Sequence, residues 1–478
     1  MTHKVVLGVD SSTQSTKVLA VDLAGGEIIG EGRAAHTGRD VQDPQDWWVA
    51  LVAAIREAVP AGAEVAAISV GGQQHGMVAM DAANRVIFPA PLWNNVDAAP
   101  DAERLNSLTN FAQEVGTYLV ASITIAKLAH FARTDPESLA RLDAVALPHD
   151  WLNLQLTGRL ATDRGEASGS GWWSPSSGQD RRDLLALAIG DEKAAHIRLP
   201  DVCGPNEVIG RLSNEAASAL GLPAGIPVGP GTGDNMAAAL GVGALPGELV
   251  ISLGTSGTAF AVSDHPVADE RGEIEGFADA TGRFLPLTCM LNCTRVVDTM
   301  AGMVGLDRDA ALEQAGAAAP GAEGVWLMPY LAGERLPNLP HATGSLFGLT
   351  MENLRPETVV RAALDGVAAG LSYGVEALAE QGVTGSEIVL VGGGSRHPTW
   401  RQAIADATGL PVHVRGGHEH AALGAAMQAI AVASGTPIDE VIATFRPETV
   451  GITEPRPEYR EAFRLPERRA LIDLARSI

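Results

Sequence analysis

"VVLGVDSSTQSTKVLAVDL", residues 5–23, and "ELVISLGTSGTAFAVSD", residues 248–264, follow one plan. Each runs from an apolar, β-branched segment through a small polar tip into a second apolar segment, which predicts a β-hairpin. The first tip places Asp10 before a run of hydroxyls and Lys17 after it. An ordinary hairpin needs two to five loop residues and favours Asn-Gly or Asp-Gly, so this polar inventory asks for another explanation. Hydroxyls, exposed amides, one acid and one ammonium suit a phosphate group with a metal ion. A solvated turn whose Ser and Thr bond their own backbone would look the same in isolation. The second copy decides between them.

The repetition extends beyond the hairpins. "EVAAISVGGQQHG" (64–76) and "EIVLVGGGSRH" (387–397) are both apolar strands running into glycines, the way strands end at a ligand crevice in α/β sheets. "DNMAAALGVGA" (234–244) resembles "EHAALGAAMQA" (419–429). Three elements recurring in the same order predict two related halves, joined near 244–248, with the hairpin tips facing a shared cleft. Between the first hairpin and residue 64, the chain predicts a strand over 27–35. A helix follows over 44–59, carrying Trp47, Trp48, Leu51, Val52 and Ile55 at helical spacing. Residues 101–225 read as mostly helical.

Composition limits the partners. The chain has 478 residues, too many for one ordinary core. Its formal charge of −23 disfavours nucleic acid and anionic membranes, which need clustered Lys and Arg. A phosphate site must then be local. Cys203, Cys289 and Cys293 form neither a disulfide framework nor a metal-ligand set, and the start "MTHKVVLGVD" reaches Asp10 before a signal-peptide core could form. A soluble cytoplasmic protein is expected.

With these elements in place, the sequence resembles the FGGY carbohydrate kinases, within the sugar kinase, actin and heat-shock ATPase superfamily. The match is collinear over nearly the whole chain, through "VDSSTQSTK", "GGQQHGMVAMD", "LWNN", "LPHDWLNLQLTG", "GTGDNMAAALGVG", "SLGTSGTAFAVS", "LMPYLAGERLP", "GSLFGLT", "VGGGSRHPTWRQAIADATG" and "EHAALGAA". The resemblance implies an α/β fold of two ribonuclease-H-like domains with a cleft between them. Residues 1–245 would carry the sugar site, the first phosphate loop and the catalytic Asp; residues 246–478 would carry the second phosphate loop and the adenosine site. Among members, the xylulose kinases fit best. This implies ATP- and Mg²⁺-dependent phosphorylation of a ketopentose, D-xylulose to D-xylulose 5-phosphate. Kinases of another pentulose, a polyol or a sugar acid are the alternatives within the family, and a non-catalytic nucleotide- and sugar-binding regulator is the alternative outside it. A homodimer is the candidate assembly.

Residue by residue, the resemblance assigns Asp10 to the first phosphate loop, placing Mg²⁺ through water, with Ser12 and Thr13 beside the phosphates. Gly254, Thr255 and Ser256 match the second phosphate loop, and Gly392, Gly393, Gly394 and Ser395 the adenosine loop. Asp234 matches the catalytic base. Its place after "GTG" also predicts a helix N-cap, where amides and the helix dipole would keep the carboxylate ionised. Gln74 and His75 match the sugar motif, and Asn235 follows the base. Four departures from the family pattern stand out: Ser12 where Gly is usual, Asn95 in place of an Asp after "LWN", His130 in place of Trp, and His149 in place of Lys. Trp93, Trp172 and Trp173 have faces able to stack on a sugar, with core packing the simpler reading.

Overall fold

The computed structural model describes residues 3–339 and 341–463, so the last part of the expected 246–478 unit lies outside the described residues. Both predicted hairpins form, Lys4–Ser11 with Ser15–Asp22 and Glu248–Leu253 with Gly257–Ala261. Each is antiparallel, and each first strand lies beside a parallel strand that arrives after a helix, Glu64–Gly72 in one half and Glu387–Val391 in the other. A further antiparallel strand pairs with the second arm of each hairpin: Ile28–Ala35, the third strand of the first half, and Phe284–Met290, the fourth of the second. The two sheets share this central order, as the repeat required, and the second adds Glu275–Ala278 at its edge. The helix predicted over 44–59 spans Pro44–Ala58, opened by Asp43, whose side chain accepts from the Gln45 amide.

Alternation along the first strand explains how the halves meet. Val5, Leu7 and Val9 face outward onto Trp47, Leu51 and Ile55 of the helix. Val6 faces the other way, into a core shared with Val250, Phe260 and Val389 of the second half. Through that shared core runs the helix His420–Ser434, beside its counterpart Asp234–Gly241. Gly8 lies under the Ala422 carbonyl, and Gly241 under that of His420, so the missing side chains let backbone approach backbone. Residues 101–225 form several short helices with two-stranded pairings among them, more broken than the helical reading expected.

Candidate active site

The hairpin register sets Asp10 opposite Lys17, whose ammonium lies 3.6 Å from Asp10 Oδ2. The same ammonium pairs with Glu419, at the N-terminal end of the helix His420–Ser434. Ser12 Oγ donates to Asp10 Oδ1 at 2.5 Å. Burial raises the pKa of Asp10, opposed by the Ser12 hydroxyl and the Lys17 charge. Thr13 Oγ1 accepts from Trp93 Nε1 at 2.9 Å, so Trp93 braces the tip. Trp172 and Trp173 are buried in the core.

Gly71 and Gly72, at the end of the strand Glu64–Gly72, pair with Thr232–Gly233, and the helix Asp234–Gly241 starts there. That pairing brings the helix that starts at Asp234 up to Gln74 and His75. Asn235 Nδ2 donates to Gln74 Oε1 at 2.8 Å and to Asp234 Oδ1 at 3.0 Å, while Gln74 Nε2 is buried without a partner among the described residues. His75 sits at φ 66°, a left-handed backbone unusual for a non-glycine. Its carbonyl accepts from Thr124 Oγ1 at 3.2 Å and Lys127 Nζ at 3.1 Å, and its ring Nδ1 is 2.9 Å from the Gly169 carbonyl. Burial, followed by the Lys127 charge, lowers the imidazole pKa to about 3. A neutral ring beside that carbonyl must carry its proton on Nδ1, which leaves Nε2 as an acceptor.

Asp234 departs from the expectation in two respects. The N-cap is Gly233; Asp234 is the first helical residue, and no side chain caps the end. Nor is the carboxylate firmly ionised at neutral pH, because burial and then the negative charge of Asp10 push its pKa up to about 7. Loss of hydration and a like charge outweigh the helix end. A group balanced there is suited to accept a proton in the neutral range.

Below it lies a set of carboxyls that sequence reasoning missed. Asp150 is raised to about 8, Asp163 to about 6 and Glu166 well above its usual range, each chiefly by burial. Neither Glu166 carboxyl oxygen has a hydrogen-bond partner among the described residues, and a β-carbon on Gly233 would stand 2.6 Å from its Oε2. The available signal was the spacing in "TDRGEAS": Asp163 accepts from the Gly165 and Glu166 amides at 2.9 and 2.8 Å and opens a short helix that carries Glu166 inward.

The second cluster belongs to the other half. Gly254, Thr255 and Ser256 form the tip of the second hairpin, with the Gly254 carbonyl accepting from Thr294 Oγ1 at 2.8 Å. Gly392, at φ 86°, and Gly394 pack against Leu253, directly before that tip, and Ser395 Oγ donates to the Gly392 carbonyl at 2.8 Å. A β-carbon on Gly393 would meet nothing within 4 Å, so this face is open. The structure thus gathers the expected residues into two groups. Asp10, Ser12, Thr13, Gln74, His75, Asp234 and Asn235 lie on one half; Gly254–Ser256 and Gly392–Ser395 lie together on the other.

Comparison with known proteins gives this arrangement its chemistry. Residues 5–241 match the model of the N-terminal domain of the FGGY family of carbohydrate kinases, and residues 249–433 that of its C-terminal domain. The chain belongs to the FGGY family of carbohydrate kinases. It is 43% identical over 441 residues to the xylulose kinase of Streptomyces coelicolor, covering 90% of this chain and 88% of that one. The xylulose kinase of Escherichia coli is 34% identical, covering 88% of each. A crystal structure of xylulose kinase from Bifidobacterium adolescentis superposes with a TM-score of 0.87 at 34% identity, covering 96% of this chain and 99% of that one. Like the rest of the FGGY family, the protein is a sugar kinase, an ATP-consuming phosphotransferase.

Against the FGGY pattern, the departures fall outside the row joining Gln74, Asn235 and Asp234. His130 approaches Asp101, which also binds Arg133. Asn95 Nδ2 donates to Asp97 at 3.1 Å. His149 is fully buried, and its Nε2 lies 3.1 Å from the Pro230 carbonyl, four residues before Asp234.

Proposed function

We propose that the enzyme transfers the γ-phosphoryl group of ATP to D-xylulose, giving D-xylulose 5-phosphate, with Asp234 as general base. The observation that carries the site assignment is the continuous row from Gln74 through Asn235 to Asp234, which ties polyol-recognising amides to a carboxyl of near-neutral pKa. The substrate rests on the relatives, whose names agree on xylulose.

In the proposed step a sugar hydroxyl oxygen bonds to the γ-phosphorus, the bond from that phosphorus to the β-phosphate oxygen breaks, and the hydroxyl proton passes to Asp234. ADP leaves. Gln74 Nε2 donates to a sugar oxygen, and His75 Nε2 accepts from a hydroxyl. Ser12, Thr13 and Gly254–Ser256 offer hydroxyls and amides to the phosphates, and Gly392–Ser395 border the adenosine. Residues 1–245 and 246–478 are the corresponding sugar-side and nucleotide-side units.

A magnesium ion fits this donor set. Among the described residues no three His, Cys, Asp or Glu side chains converge as a metal site, so a cation would draw most of its ligands from phosphate and water. Asp10, a buried carboxylate in the first tip, would hold it, and the ion would supply charge neutralisation at the phosphates. Steady-state phosphorylation of a panel of ketoses and polyols with ATP and Mg²⁺ tests the reading. D-Xylulose should give the highest kcat/KM; ribulose or a polyol above it would overturn the substrate assignment.

A further inference from the structure

One helix of the nucleotide-side half reaches both ends of the sugar-side machinery. At the N-terminus of His420–Ser434, Glu419 pairs with Lys17 beside Asp10. Two turns further along, Gln428 is 1% exposed and turned toward the loop that precedes Asp234. Gln428 Oε1 accepts from the Gly231 amide at 2.8 Å, and its Nε2 donates to the Gly231 carbonyl at 3.2 Å. Ser69 Oγ, on the strand Glu64–Gly72, donates to the same Oε1 at 2.5 Å. Only one orientation of the amide satisfies both backbone groups of Gly231, and the Ser69 hydroxyl agrees with it.

Gly231 itself has little freedom. It sits at φ 74°, and a β-carbon there would overlap the Val70 carbonyl and stand 2.7 Å from His149 Cδ2. The preceding Pro230 carbonyl accepts from Asn153 Nδ2 at 2.8 Å. Thr232 and Gly233 then join the strand Glu64–Gly72, and Asp234 begins the next helix. With Asn153, on the helix Pro148–Thr157, holding Pro230 and Gln428 holding Gly231, the chain is gripped three residues before the carboxyl that must meet a sugar hydroxyl.

We propose that Gln428 is a positioning residue for phosphoryl transfer: from the nucleotide-side half, it fixes the backbone at Gly231 and thereby aims Asp234. The inference rests on Asp234 being the base. His75 is anchored through Gly169, Thr124 and Lys127 and not through Gln428, whereas Gln74 shares the Asp234 helix through Asn235, so the effect falls on the chemical step and, more weakly, on sugar binding. Small misplacement of a reacting group is costly, up to about a hundredfold per ångström.

Gln428→Met keeps the volume and removes all three hydrogen bonds. It should lower kcat about tenfold or more, with KM for ATP within about twofold and KM for the ketose changed less than kcat. The deciding measurement is a cycle with Asp234→Asn, following transfer from γ-labelled ATP. If Gln428 acts through Asp234, Gln428→Met should cost the Asp234→Asn variant nothing further. Wild-type kcat in Gln428→Met, or the same fold-loss in both backgrounds, would overturn the proposal. Should Gln428→Met not fold, Ser69→Ala removes only the hydroxyl that orients the amide; it should lower kcat about threefold in the wild type and not in Asp234→Asn. Full turnover by Asp234→Asn alone would count instead against the base assignment.

Discussion

Gly424, on the helix His420–Ser434, lies directly against the Ala237 carbonyl of the helix Asp234–Gly241, and a β-carbon there would stand 2.8 Å from the Gly241 amide. The two helices are the pair whose sequences repeat, and they cross where neither has room for a methyl group. Their contact joins the halves through backbone, so neither helix can shift alone.

Gly424→Ala should therefore destabilise the protein by about 1–3 kcal/mol, as overpacking does in a dense core. Favourable helix propensity would offset less than 1 kcal/mol of that. Thermal unfolding checks it, with Gly382→Ala as a poor control because Gly382 sits at φ 79°. Gly302→Ala, where a β-carbon meets nothing within 4 Å, is the suitable one.

The hairpins and the glycine-ended strands were legible because alternation, a polar tip and a terminal glycine are local signals, and the repeat was legible because that local pattern is written twice. The sheet topology followed from the repeat. What was not legible depends on partners far along the chain. Trp93 reaching Thr13, and Gln428 reaching Gly231, span 80 and 197 residues. The ionisation of Asp234 was misread for the same reason: a helix start can be read from "GTGD", whereas burial beside Asp10 is a property of the assembled fold. The sugar assignment of His75 rests on resemblance; its neutral ring comes from burial and then the Lys127 charge, against the Gly169 hydrogen bond, while Thr124 and Lys127 hold its carbonyl.

With its pKa raised to about 7, Asp234 should impose an acid limb near neutrality on kcat/KM, the rate rising as the carboxyl loses its proton. Asp10→Asn removes the neighbouring negative charge, so beyond lowering the rate it should move that limb to lower pH. The stability consequence runs the other way. An unfolded Asp gives up its proton near pH 4 and this folded one near 7, so the folded chain holds the extra proton in between and stability falls as pH rises through that window. Asp234→Asn should melt above the wild type at pH 8, with the difference vanishing toward pH 4. Equal melting temperatures at both pH values would contradict the raised pKa.

His75 should affect recognition more than turnover. Asn tolerates the left-handed backbone, so His75→Asn keeps the chain path while removing the Nε2 acceptor. KM for the ketose should rise about ten- to a hundredfold, the range for losing a hydrogen bond in a polar site, with kcat changed less and KM for ATP unchanged. A fall confined to kcat would place His75 in the chemical step instead.

Ser12 stands where the family usually has glycine, and its hydroxyl at 2.5 Å from Asp10 Oδ1 gives the exchange a purpose. Burial raises the Asp10 pKa, and the Ser12 hydroxyl is the first of the contacts that lower it again. Ser12→Gly should leave Asp10 easier to protonate and less well oriented. The Mg²⁺ concentration for half-maximal rate should rise about three- to tenfold, the effect of one hydrogen bond to a charged group, and the rise should be larger at pH 6 than at pH 8. Calorimetric titration of Mg²⁺ into the ADP-bound enzyme gives the same comparison without turnover. If both variants bind Mg²⁺ equally at pH 6, the hydroxyl serves the loop's shape and not the carboxylate.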